Sequence, residues 1–531
     1  MRFLSVEQMR AADRAAVEAD GRSALILMRR AGTAVARMVE RAAALRGDRD
    51  VVVVAGHGNN GGDACVAARC LFEDGFRVQV VMTCAPDLLK GAAREVWDEL
   101  RARGVPHSVL ATAESWNEPL DVVSETLLRR GILVDGVLGT GCKGAPTGAA
   151  EQAIRWMNRM RPHALVVAID LPSGMNGDTG EAEGSMVRAD VTVTFARPKR
   201  CFLNLAKSEW VGHLEVADIG IPDAICDRNA SEMPCSLIAS PDVARCFGVR
   251  DWHAHKGSFG HLCVVGGSEG LCHAPVLAAL GAVKSGVGLL TLAVPGQSRA
   301  AAAAHVPEAM LAVLDAPQGD LSAEALAAWG RDLNGFDAVV LGPGMTQSER
   351  ARGAVAHVLA TYRGRLVLDA DGLNALATLK TEGRLPREGQ QLVLTPHPGE
   401  AARLLGVSVQ EVQRDRLSAV RRLADTYRAV AVLKGAGTLV CEPNGVPWLN
   451  LTGNPGMACG GMGDVLAGMV GSLWAQGLSA LQAATVAVWA HGTAGDLAAL
   501  AEGQTSLSAT SLAKRLGSVF QTLERKPLVG S

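Results

Sequence analysis

Short runs of consecutive apolar residues alternate with longer helical stretches along the whole chain. A strand buried on both faces needs an apolar side chain at nearly every position, so these runs predict parallel sheets covered by helices. The predicted strands of the first half are Val51–Ala55, Val78–Met82, Ile132–Val134, Leu165–Ile169, Val191–Phe195 and Leu214–Val216. Those of the second half are His261–Val265, Leu289–Ala293, Ala338–Leu341, Leu366–Asp369, Leu392–Thr395, Val430–Leu433 and Thr438–Cys441.

Helical stretches precede, separate and follow these strands. Two of them, over Ser5–Ala19 and Ser23–Leu45, come before the first strand, and Asp87–Arg103 lies between two strands. The chain from Met462 to about Glu524 is predicted to be mostly helical. Strands that alternate with helices predict an α/β protein with a doubly wound sheet in each half.

A segment over 223–250 separates the two series. It has no clear period and carries Pro234 and Pro241, with Pro222 directly before it. A chain of 531 residues is too long for one ordinary core. We therefore predict two different α/β domains, 1–222 and 251–531, with a linker over 223–250.

Composition narrows the class of protein. Hydrophobic residues make up 48% and charged residues 20%, and the net charge of -2 gives no basic surface for nucleic acid or anionic membrane. No apolar run is long enough to span a bilayer, and Met1–Asp20 lacks the apolar core of a signal peptide. None of the 12 cysteines forms a C-x-x-C pair. Reduced thiols, a cytoplasmic location, and no nucleic-acid or membrane partner are expected.

A glycine-rich turn, GHGNNGGD over 56–63, follows the strand Val51–Ala55. Backbone N–H groups in such a turn, at the start of a helix, form an anion site. The pattern G-x-G-x-x-G is present, but Gln79–Cys84 lacks the acid of an ordinary NAD site, and there is no P-loop. A turn without a ligand is the alternative. The amides of Asn59 and Asn60 and the carboxylate of Asp63 favour a binding site.

Two further strand ends carry polar side chains. Asp135 is followed by GVLGTG over 136–141, and Asp170 by LPSG over 171–174. Ligands of open α/β sheets bind outside the carboxyl ends of the strands. Either aspartate alone could be a helix N-cap, but three such loops at one edge indicate a site. The side-chain oxygens of Asn60, Asp135 and Ser173 suit a hard cation.

These loops, with EQMRAAD over 7–13, DTG over 178–180 and FARPK over 195–199, resemble the NAD(P)H-hydrate epimerase family. The resemblance implies a Rossmann-like three-layer domain that binds hydrated nicotinamide dinucleotide and one potassium ion. Asn60, Asp135 and Ser173 would ligate potassium, and Asp170 would be the acid/base group at the hydrated carbon. The implied substrate contacts are Asn59, Asn60, Gly61, Gly62, Asp63, Gly139, Thr140, Gly141, Cys142, Lys143, Gly144, Ala145 and Asp170. Ala64 stands where a glycine is usual, and Gly144 where a basic residue is common.

The longest glycine-rich loop, GNPGMACGGMGDVLAG over 453–468, lies in the second half and leads into a helix. Such a loop presents N–H groups to anionic oxygens. Asp464, in the first turn of that helix, can act as a base on a substrate hydroxyl. The alternative is that Asp464 only interacts with the helix dipole.

Other loops at predicted strand ends are KGAGT over 434–438, TPHPGE over 395–400, GPG over 342–344 and DADGLN over 369–374. Together they resemble the ribokinase-like superfamily and, within it, the NAD(P)H-hydrate dehydratase family, over about 251–500. A second three-layer α/β domain is implied. The implied substrate contacts are Ala274, Gly344, His397 and Asp464, with Asp464 as catalytic base. The implied nucleotide contacts are Lys434, Gly435, Ala436, Gly437, Thr438 and Gly463. Cys459 stands where threonine or serine is usual.

The two resemblances together imply repair of hydrated NADH and NADPH (NADHX and NADPHX). The C-terminal domain would dehydrate the S epimer with ADP and magnesium, forming AMP and phosphate, and the N-terminal domain would interconvert the R and S epimers. We also expect a homo-oligomer. One alternative is a ribokinase-type small-molecule kinase with a dinucleotide-binding N-terminal domain, against which the His397 and Lys434 motifs argue. Another is a non-catalytic N-terminal domain, against which the set of Asn60, Asp135, Asp170 and Ser173 argues.

Overall fold

The structure is a computed structural model that describes residues 1–20, 23–116, 131–141, 144–228, 235–247, 250–384 and 386–524. The chain divides into two compact units, Met1–Met233 and Pro234–Ser531. Each unit contains one large sheet built mainly from parallel strands, which confirms the predicted α/β class. In the part of the chain that is described, no helix is both long enough and apolar enough to cross a membrane.

The described part of the first unit forms a seven-stranded parallel sheet with the order β3-β2-β1-β4-β5-β6-β7. Its strands are β1 (Asp50–Ala55), β2 (Arg77–Met82), β3 (His107–Val109), β4 (Ile132–Gly136), β5 (Leu165–Ile169), β6 (Val191–Phe195) and β7 (His213–Ala217). Its helices are α1 (Val6–Asp20), α2 (Ala24–Arg46), α3 (Asn59–Glu73), α4 (Gly91–Ala102), α5 (Gly148–Met160), α6 (Ser208–Val211) and α7 (Asp223–Arg228).

The central strand β1 is covered on both faces, as its continuous apolar run predicts. Val52 and Val54 belong to a buried cluster with Ile154 of α5. Val51 and Val53 point to the opposite face, where they are fully buried and where α3 packs against the strand. The sheet is thus the middle layer of a three-layer sandwich.

The second unit has a ten-stranded sheet in its described residues, with the order β11-β10-β9-β12-β13-β14-β15-β16-β17-β8. The strands are β8 (Ser236–Leu237), β9 (His261–Val265), β10 (Leu289–Pro295), β11 (Met310–Leu314), β12 (Ala338–Leu341), β13 (Arg365–Leu368), β14 (Gln391–Leu394), β15 (Val430–Leu433), β16 (Thr438–Cys441) and β17 (Trp448–Asn450). Neighbouring strands from β11 to β15 are parallel, whereas β16 runs antiparallel to both β15 and β17.

The helices of the second unit cover this sheet. They are α8 (Ser240–Ala244), α9 (Ala274–Lys284), α10 (Arg299–His305), α11 (Ala323–Ala328), α12 (Glu349–Thr361), α13 (Asp371–Thr381), α14 (Pro398–Leu405), α15 (Val409–Arg414), α16 (Arg416–Tyr427), α17 (Met462–Ala475), α18 (Ala480–Glu502) and α19 (Ala509–Leu523). Val465 and Met469 of α17 pack in one buried cluster with Leu262 and Val340 of the central strands. Because α17 rests on these strands, its N-terminal turn is held at the sheet.

In each sheet the winding direction reverses beside the central strand. β1 lies between β2 and β4, and β9 lies between β10 and β12. The crevice at such a reversal is where ligands of open α/β sheets bind. In the second unit the loops after β9 and β12 touch there, because a Cβ on Gly266 would lie 2.3 Å from the carbonyl oxygen of Pro343.

The apolar runs do not predict β3, β8, β11 and β17. All four lie at or next to a sheet edge. An edge strand is not covered on both sides, so it carries no continuous apolar run; in β11, Met310 is 43% and Val313 47% exposed.

The segment over 223–250, predicted to be a linker, contains short helices and a strand in its described residues. The helix α7 packs against α1 in the first unit. The strand β8 pairs with β17, and α8 packs against α18, in the second unit. Elements this short have no detectable hydrophobic period, and this is why the sequence pattern misses them. The domain bounds 1–222 and 251–531 stay predictions.

Candidate functional site

A cavity of about 600 Å³ opens at the carboxyl ends of the strands in the first unit. The turn after β1 lines it with Asn59, Asn60 and Asp63, the loop after β4 with 139–141, and the end of β5 with Asp170. Residues of α1 and α2 form the rest of the wall. The structure therefore brings the three predicted loops of this unit together around one space.

Two of the three residues predicted to hold a cation, Asn60 and Ser173, contact the carbonyl oxygen of Leu138, and the third, Asp135, contacts Ser173. The amide of Asn60 donates to this oxygen at 3.1 Å, and the hydroxyl of Ser173 lies 3.0 Å from it. Ser173 also donates to the carboxylate of Asp135, through its hydroxyl at 2.5 Å and its backbone N–H at 2.8 Å. Asp135 is fully buried, and burial raises its pKa to about 6 against the opposing hydrogen bonds from Ser173.

This cluster fits a hard monovalent cation. Asp135 accepts hydrogen bonds from neutral groups of Ser173 and Val137. A buried carboxylate with neutral partners is stabilised by a bound positive charge. The available donors are amide, hydroxyl and carbonyl oxygens with one carboxylate, and among the described residues no three His, Cys, Asp or Glu side chains cluster as a transition-metal site requires.

Asp170 follows β5 directly and has a left-handed backbone, with φ of 64°. Lys199 forms an ion pair with its carboxylate, and the hydroxyl of Thr194 donates to the same oxygen at 3.1 Å. The ammonium of Lys199 also donates to Thr194 at 2.9 Å, and its side chain is only 2% exposed. These two neighbours fix the orientation of the Asp170 carboxylate at the cavity.

Two more carboxyl groups line the same cavity, from Asp13 of α1 and Asp63 of α3. Burial raises the pKa of Asp13 to about 6; Lys199 opposes this rise and Asp170 adds to it. Burial, followed by the charges of Asp170 and Asp13, raises the pKa of Asp63 well above its usual range. The cavity therefore holds carboxyl groups that can carry a proton near neutral pH, beside one that is paired with a lysine.

The other predicted substrate contacts of this unit that the structure describes do not line this cavity. Gly61 has a tight structural role, since a Cβ there would lie 1.9 Å from the carbonyl oxygen of Gly56. Gly62, Gly144 and Ala145 do not belong to the described cavity wall. Cys142 and Lys143 lie outside the described residues.

Ala64, which stands where the family has glycine, is fully buried in α3. A Cβ on Gly136 would lie 2.5 Å from the methyl group of Ala64. The extra methyl is therefore accommodated because the facing position is a glycine.

Sequence reasoning assigned no role to Asp13 or Lys199, although both lie in motifs that carry the resemblance. The available signal for Asp13 is its position between Met9 and Val17, four residues from each, on the stripe of α1 that lines the cavity. For Lys199 no local signal exists, because its partner Asp170 is on another strand.

In the second unit, the glycine-rich loop ends at Gly461, which caps α17 with φ of 88°. Asp464 lies in the first turn of the helix, as predicted. Burial raises the pKa of Asp464 to about 7; Asp369 adds to the rise and Lys434 opposes it. A carboxyl group with a pKa near neutrality is suited to general base catalysis.

Lys434 lies among three acids at this site. Its ammonium is 2.8 Å from the carboxylate of Asp369 and 3.9 Å from that of Glu400. Thr395 also donates to Asp369, at 2.7 Å. Burial lowers the pKa of Lys434, but the two carboxylates and the charge of Asp464 outweigh this and raise it. Burial also raises the pKa of Glu400, to about 7. The lysine is a fixed positive charge beside the predicted base.

Arg416 shapes the loop over 434–438. Its Nη2 atom donates to the carbonyl oxygens of Leu433, Lys434 and Gly437, at 3.2, 3.3 and 3.1 Å. Gly435 has φ of 132°, a value that side chains rarely adopt. The loop that contains the five predicted nucleotide contacts, among them Ala436 and Thr438, is thus ordered by protein contacts alone. No sequence motif singles out Arg416.

Two pairs of predicted residues are neighbours here. A Cβ on Gly463 would lie 3.2 Å from the ammonium of Lys434, so these predicted nucleotide contacts face each other. A Cβ on Gly344 would lie 3.1 Å from the methyl group of Ala274, so these predicted substrate contacts are also adjacent.

His397 is connected to the acidic group through Glu400. Its Nδ1 accepts a hydrogen bond from the N–H of Gly399 at 3.0 Å, capping α14, and its Nε2 lies 3.4 Å from Glu400. The backbone N–H of His397 donates to Glu400 at 2.7 Å. Burial and then the charge of Lys434 lower the pKa of His397. The imidazole is therefore neutral at physiological pH and half-exposed.

Asp496, a residue that the sequence analysis did not single out, anchors the start of the glycine-rich loop. Its carboxylate accepts hydrogen bonds from the N–H of Gly453 at 2.8 Å and from the amide of Asn454 at 2.9 Å. It projects from α18, which packs against α17. Cys459, in the same loop, is exposed, and its thiol lies 3.6 Å from the carbonyl oxygen of Leu507.

The fold and the two sites define a two-domain α/β enzyme with polar groups gathered where parallel strands end. Two family models match the chain. The model described as YjeF-related protein N-terminus matches residues 24–201, and the model described as NAD(P)H-hydrate dehydratase matches residues 262–517. The chain belongs to the family of bifunctional NAD(P)H-hydrate repair enzymes, since it is 37% identical to the enzyme Nnr of Moorella thermoacetica over 94% of this chain and 93% of that one.

Other members are similar over comparable lengths. The enzyme Nnr of Coxiella burnetii is 37% identical, with 95% of this chain and 96% of that one covered. That of Escherichia coli is 34% identical, with 98% and 92% covered. A crystal structure of the ADP/ATP-dependent NAD(P)H-hydrate dehydratase from Bacillus subtilis, co-crystallized with ATP/Mg2+, is 31% identical and has a TM-score of 0.49, covering 55% of this chain and 100% of that one.

Proposed function

We propose that the second unit dehydrates the S epimer of NADHX and NADPHX and that the first unit interconverts the R and S epimers. Family membership over nearly the whole chain supports repair rather than the kinase alternative. The observation that carries the proposal is the burial of Asp464 beside Lys434 in the first turn of α17, in a chain whose first unit has a separate acidic cavity.

In the second unit, Asp464 takes the proton from the hydroxyl group of the hydrated nicotinamide ring. The hydroxyl oxygen then bonds to the terminal phosphorus of ADP, and AMP leaves with the electrons of the broken P–O bond. Departure of inorganic phosphate from the ring and loss of a proton from the adjacent ring carbon restore NADH or NADPH. Lys434, the loop over 434–438 and Gly463 hold the nucleotide phosphates, and magnesium bound to the nucleotide neutralises part of their charge.

Ala274, Gly344 and His397 hold the hydrated dinucleotide beside Asp464. The proximity of Ala274 to Gly344 supports this assignment. So does the neutral, half-exposed imidazole of His397, which can donate a hydrogen bond from Nε2 to the ligand because Nδ1 accepts from the N–H of Gly399.

In the first unit, Asp170 is the acid/base group at the hydrated carbon. Asn59, Asn60, Asp63 and the loop over 139–145 bind the rest of the substrate. Asn60, Asp135 and Ser173 would hold potassium, which supplies the positive charge that buried Asp135 needs. The oxygen-only donor set around Leu138 supports this choice of cation.

The experiment uses purified full-length protein and separated R and S epimers. With ADP and magnesium, the S epimer should regain the absorbance of NADH at once. The R epimer should regain it only as fast as it is epimerised. Without ADP, each epimer should equilibrate with the other and no NADH should form. Failure of the S epimer to form NADH with ADP or with ATP would refute the dehydratase, and equilibration no faster than in buffer would refute the epimerase.

The cytoplasmic location and the homo-oligomeric state stay predictions.

A further inference from the structure

Helix α1 is tied across the carboxyl edge of the first sheet by contacts with three different loops. The N–H of Leu4, just before the helix, donates to the carbonyl oxygen of Pro198 at 2.9 Å. The N–H of Val6 donates to the carboxylate of Asp178, also at 2.9 Å. The guanidinium of Arg10 donates to the carbonyl oxygen of Thr140 at 3.1 Å. The helix is therefore a fixed wall of the cavity.

One face of this wall carries an acid toward the cavity. Met9, Asp13 and Val17 follow one another at a spacing of four residues, and all three line the cavity with Arg10 and Arg14. Residues at this spacing share a helix face. Asp13 is thus the one acid in an otherwise apolar row that faces the Asp170 site.

The carboxyl groups of Asp13 and Asp170 are in different environments. Asp170 is paired with Lys199 and accepts a hydrogen bond from Thr194. Asp13 is largely buried, and its pKa is raised to about 6. The charged and titratable groups around it include Arg14 on its own helix, Asp63 on α3, Asp170 and Lys199 at the strand ends, and Cys226 on α7. Arg10, Glu18 and His57 line the same cavity. Two acids whose environments differ in this way are suited to opposite roles in proton transfer.

We propose that Asp13 is a second catalytic residue of the epimerase, acting as the general acid toward the leaving hydroxyl group while Asp170 acts as the base. This assignment rests on the proposed epimerase function of the first unit.

The reaction balances with water alone. Protonated Asp13 gives its proton to the hydroxyl oxygen, the C–O bond breaks, and its electron pair leaves with a water molecule. The lone pair of the ring nitrogen forms a C=N bond to the same carbon. A water molecule then bonds to that carbon from the other face, the C=N electrons return to nitrogen, and the carboxylate of Asp170 takes the released proton. Proton transfer through solvent from Asp170 to Asp13 restores the starting state.

The test compares Asp13→Asn with wild type in full-length protein supplied with the R epimer and no nucleotide. Loss of a general acid costs about 100-fold or more in rate, so kcat for formation of the S epimer should fall at least 100-fold. The KM should change less than 3-fold, because asparagine keeps the shape and polarity of the side chain. Dehydration of the S epimer with ADP should be unchanged, because that site lies in the second unit, and an unchanged unfolding temperature of the first unit shows that Asp13→Asn is folded.

Two further measurements separate catalysis from packing. Asp13→Glu should recover part of kcat, because it restores the acid. The wild-type kcat should fall as pH rises above about 6, since the acid must be protonated, and Asp13→Asn should lose this dependence. Glu7→Gln, which removes an exposed carboxylate from the first turn of the same helix, should match wild type.

A kcat of Asp13→Asn within 3-fold of wild type, or a change in KM alone, would overturn the role of Asp13 and leave the epimerase function intact. A wild-type enzyme that equilibrates the epimers no faster than buffer would overturn both.

Discussion

The ammonium of Lys434 lies 2.8 Å from the carboxylate of Asp369, whose side chain is 2% exposed. The carboxylate of Glu400 lies 3.9 Å from the same ammonium. A buried acid that loses the cation paired with it leaves an uncompensated charge, so this pair links the stability of the second unit to its chemistry.

Lys434→Met should therefore lower both the stability of the second unit and its dehydration activity. Breaking a buried pair costs about 3 kcal/mol, and removal of the positive charge from the nucleotide loop should lower the dehydration rate at least 100-fold. Urea unfolding and the recovery of NADH absorbance with ADP measure the two effects. Lys284→Met, at an exposed position at the end of α9, is the matched control. Normal dehydration in Lys434→Met would exclude a nucleotide role.

Asp464→Asn should abolish dehydration and leave epimerisation unchanged. Because the base must be ionised and the pKa of Asp464 is about 7, the wild-type dehydration rate should fall as pH drops below 7. The folded-state pKa is raised above its unfolded value, so the carboxyl group stabilises the fold at low pH and this contribution is lost as pH rises through 7. Asp464→Asn should thus gain stability relative to wild type as pH rises from the ordinary carboxyl pKa of 3.8 to about 7, measured by thermal unfolding. Retained dehydration by this variant would refute the assignment as base.

Asp135→Asn should weaken the effect of potassium on the first unit. In wild type, replacing lithium with potassium at constant ionic strength should raise the unfolding temperature and the epimerisation rate. The variant should lose both responses, because the only carboxylate of the proposed site is gone. Dehydration, which takes place in the second unit, should respond equally to potassium in both proteins and serves as the internal control. An equal response to potassium in both proteins would place the ion elsewhere.

Asp496→Asn should act on the dehydratase through the glycine-rich loop. Its carboxylate accepts from two donors, and an amide offers only one acceptor oxygen, so one buried donor is left unpaired at a cost of about 1–3 kcal/mol. We expect the KM for the S epimer to rise about 10-fold or more, because a loss of about 1.4 kcal/mol of binding free energy weakens affinity tenfold. Glu502→Gln, on the same helix and paired only at the surface with Arg515, should have little effect. An unchanged KM would show that the loop does not depend on this anchor.

The sequence predicts the central strands of both sheets because burial on both faces requires uninterrupted apolar runs. It does not predict β3 and β11, because strands at an edge are only partly covered. The sequence also predicts that Asn60, Asp135 and Ser173 lie close together, since the carboxyl ends of parallel strands meet at the same edge of a sheet. The position of a residue relative to a strand end was therefore sufficient information for this cluster.

Roles that depend on contacts between distant elements were not predicted. No local pattern assigns a role to Lys199, which is buried against Asp170 at the end of another strand. Arg416 and Asp496 lie in ordinary helical sequence, and only packing brings them to the loops that they hold. Such roles follow from tertiary geometry, which no local pattern records.

The left-handed backbone of Asp170 has a consequence for which side chains the position can accept. Most L-amino acids pay about 1–2 kcal/mol for this conformation, whereas glycine, asparagine and aspartate adopt it readily. All uncharged replacements lose the partner of buried Lys199, but in a saturation library scored only for folded abundance Asn and Gly should be less depleted than Val, Ile and Thr, even though no activity is selected. Backbone geometry thus limits which side chains position 170 can carry, independently of what the reaction requires. Asp170→Asn suits the backbone but removes the carboxylate, so it separates these two requirements.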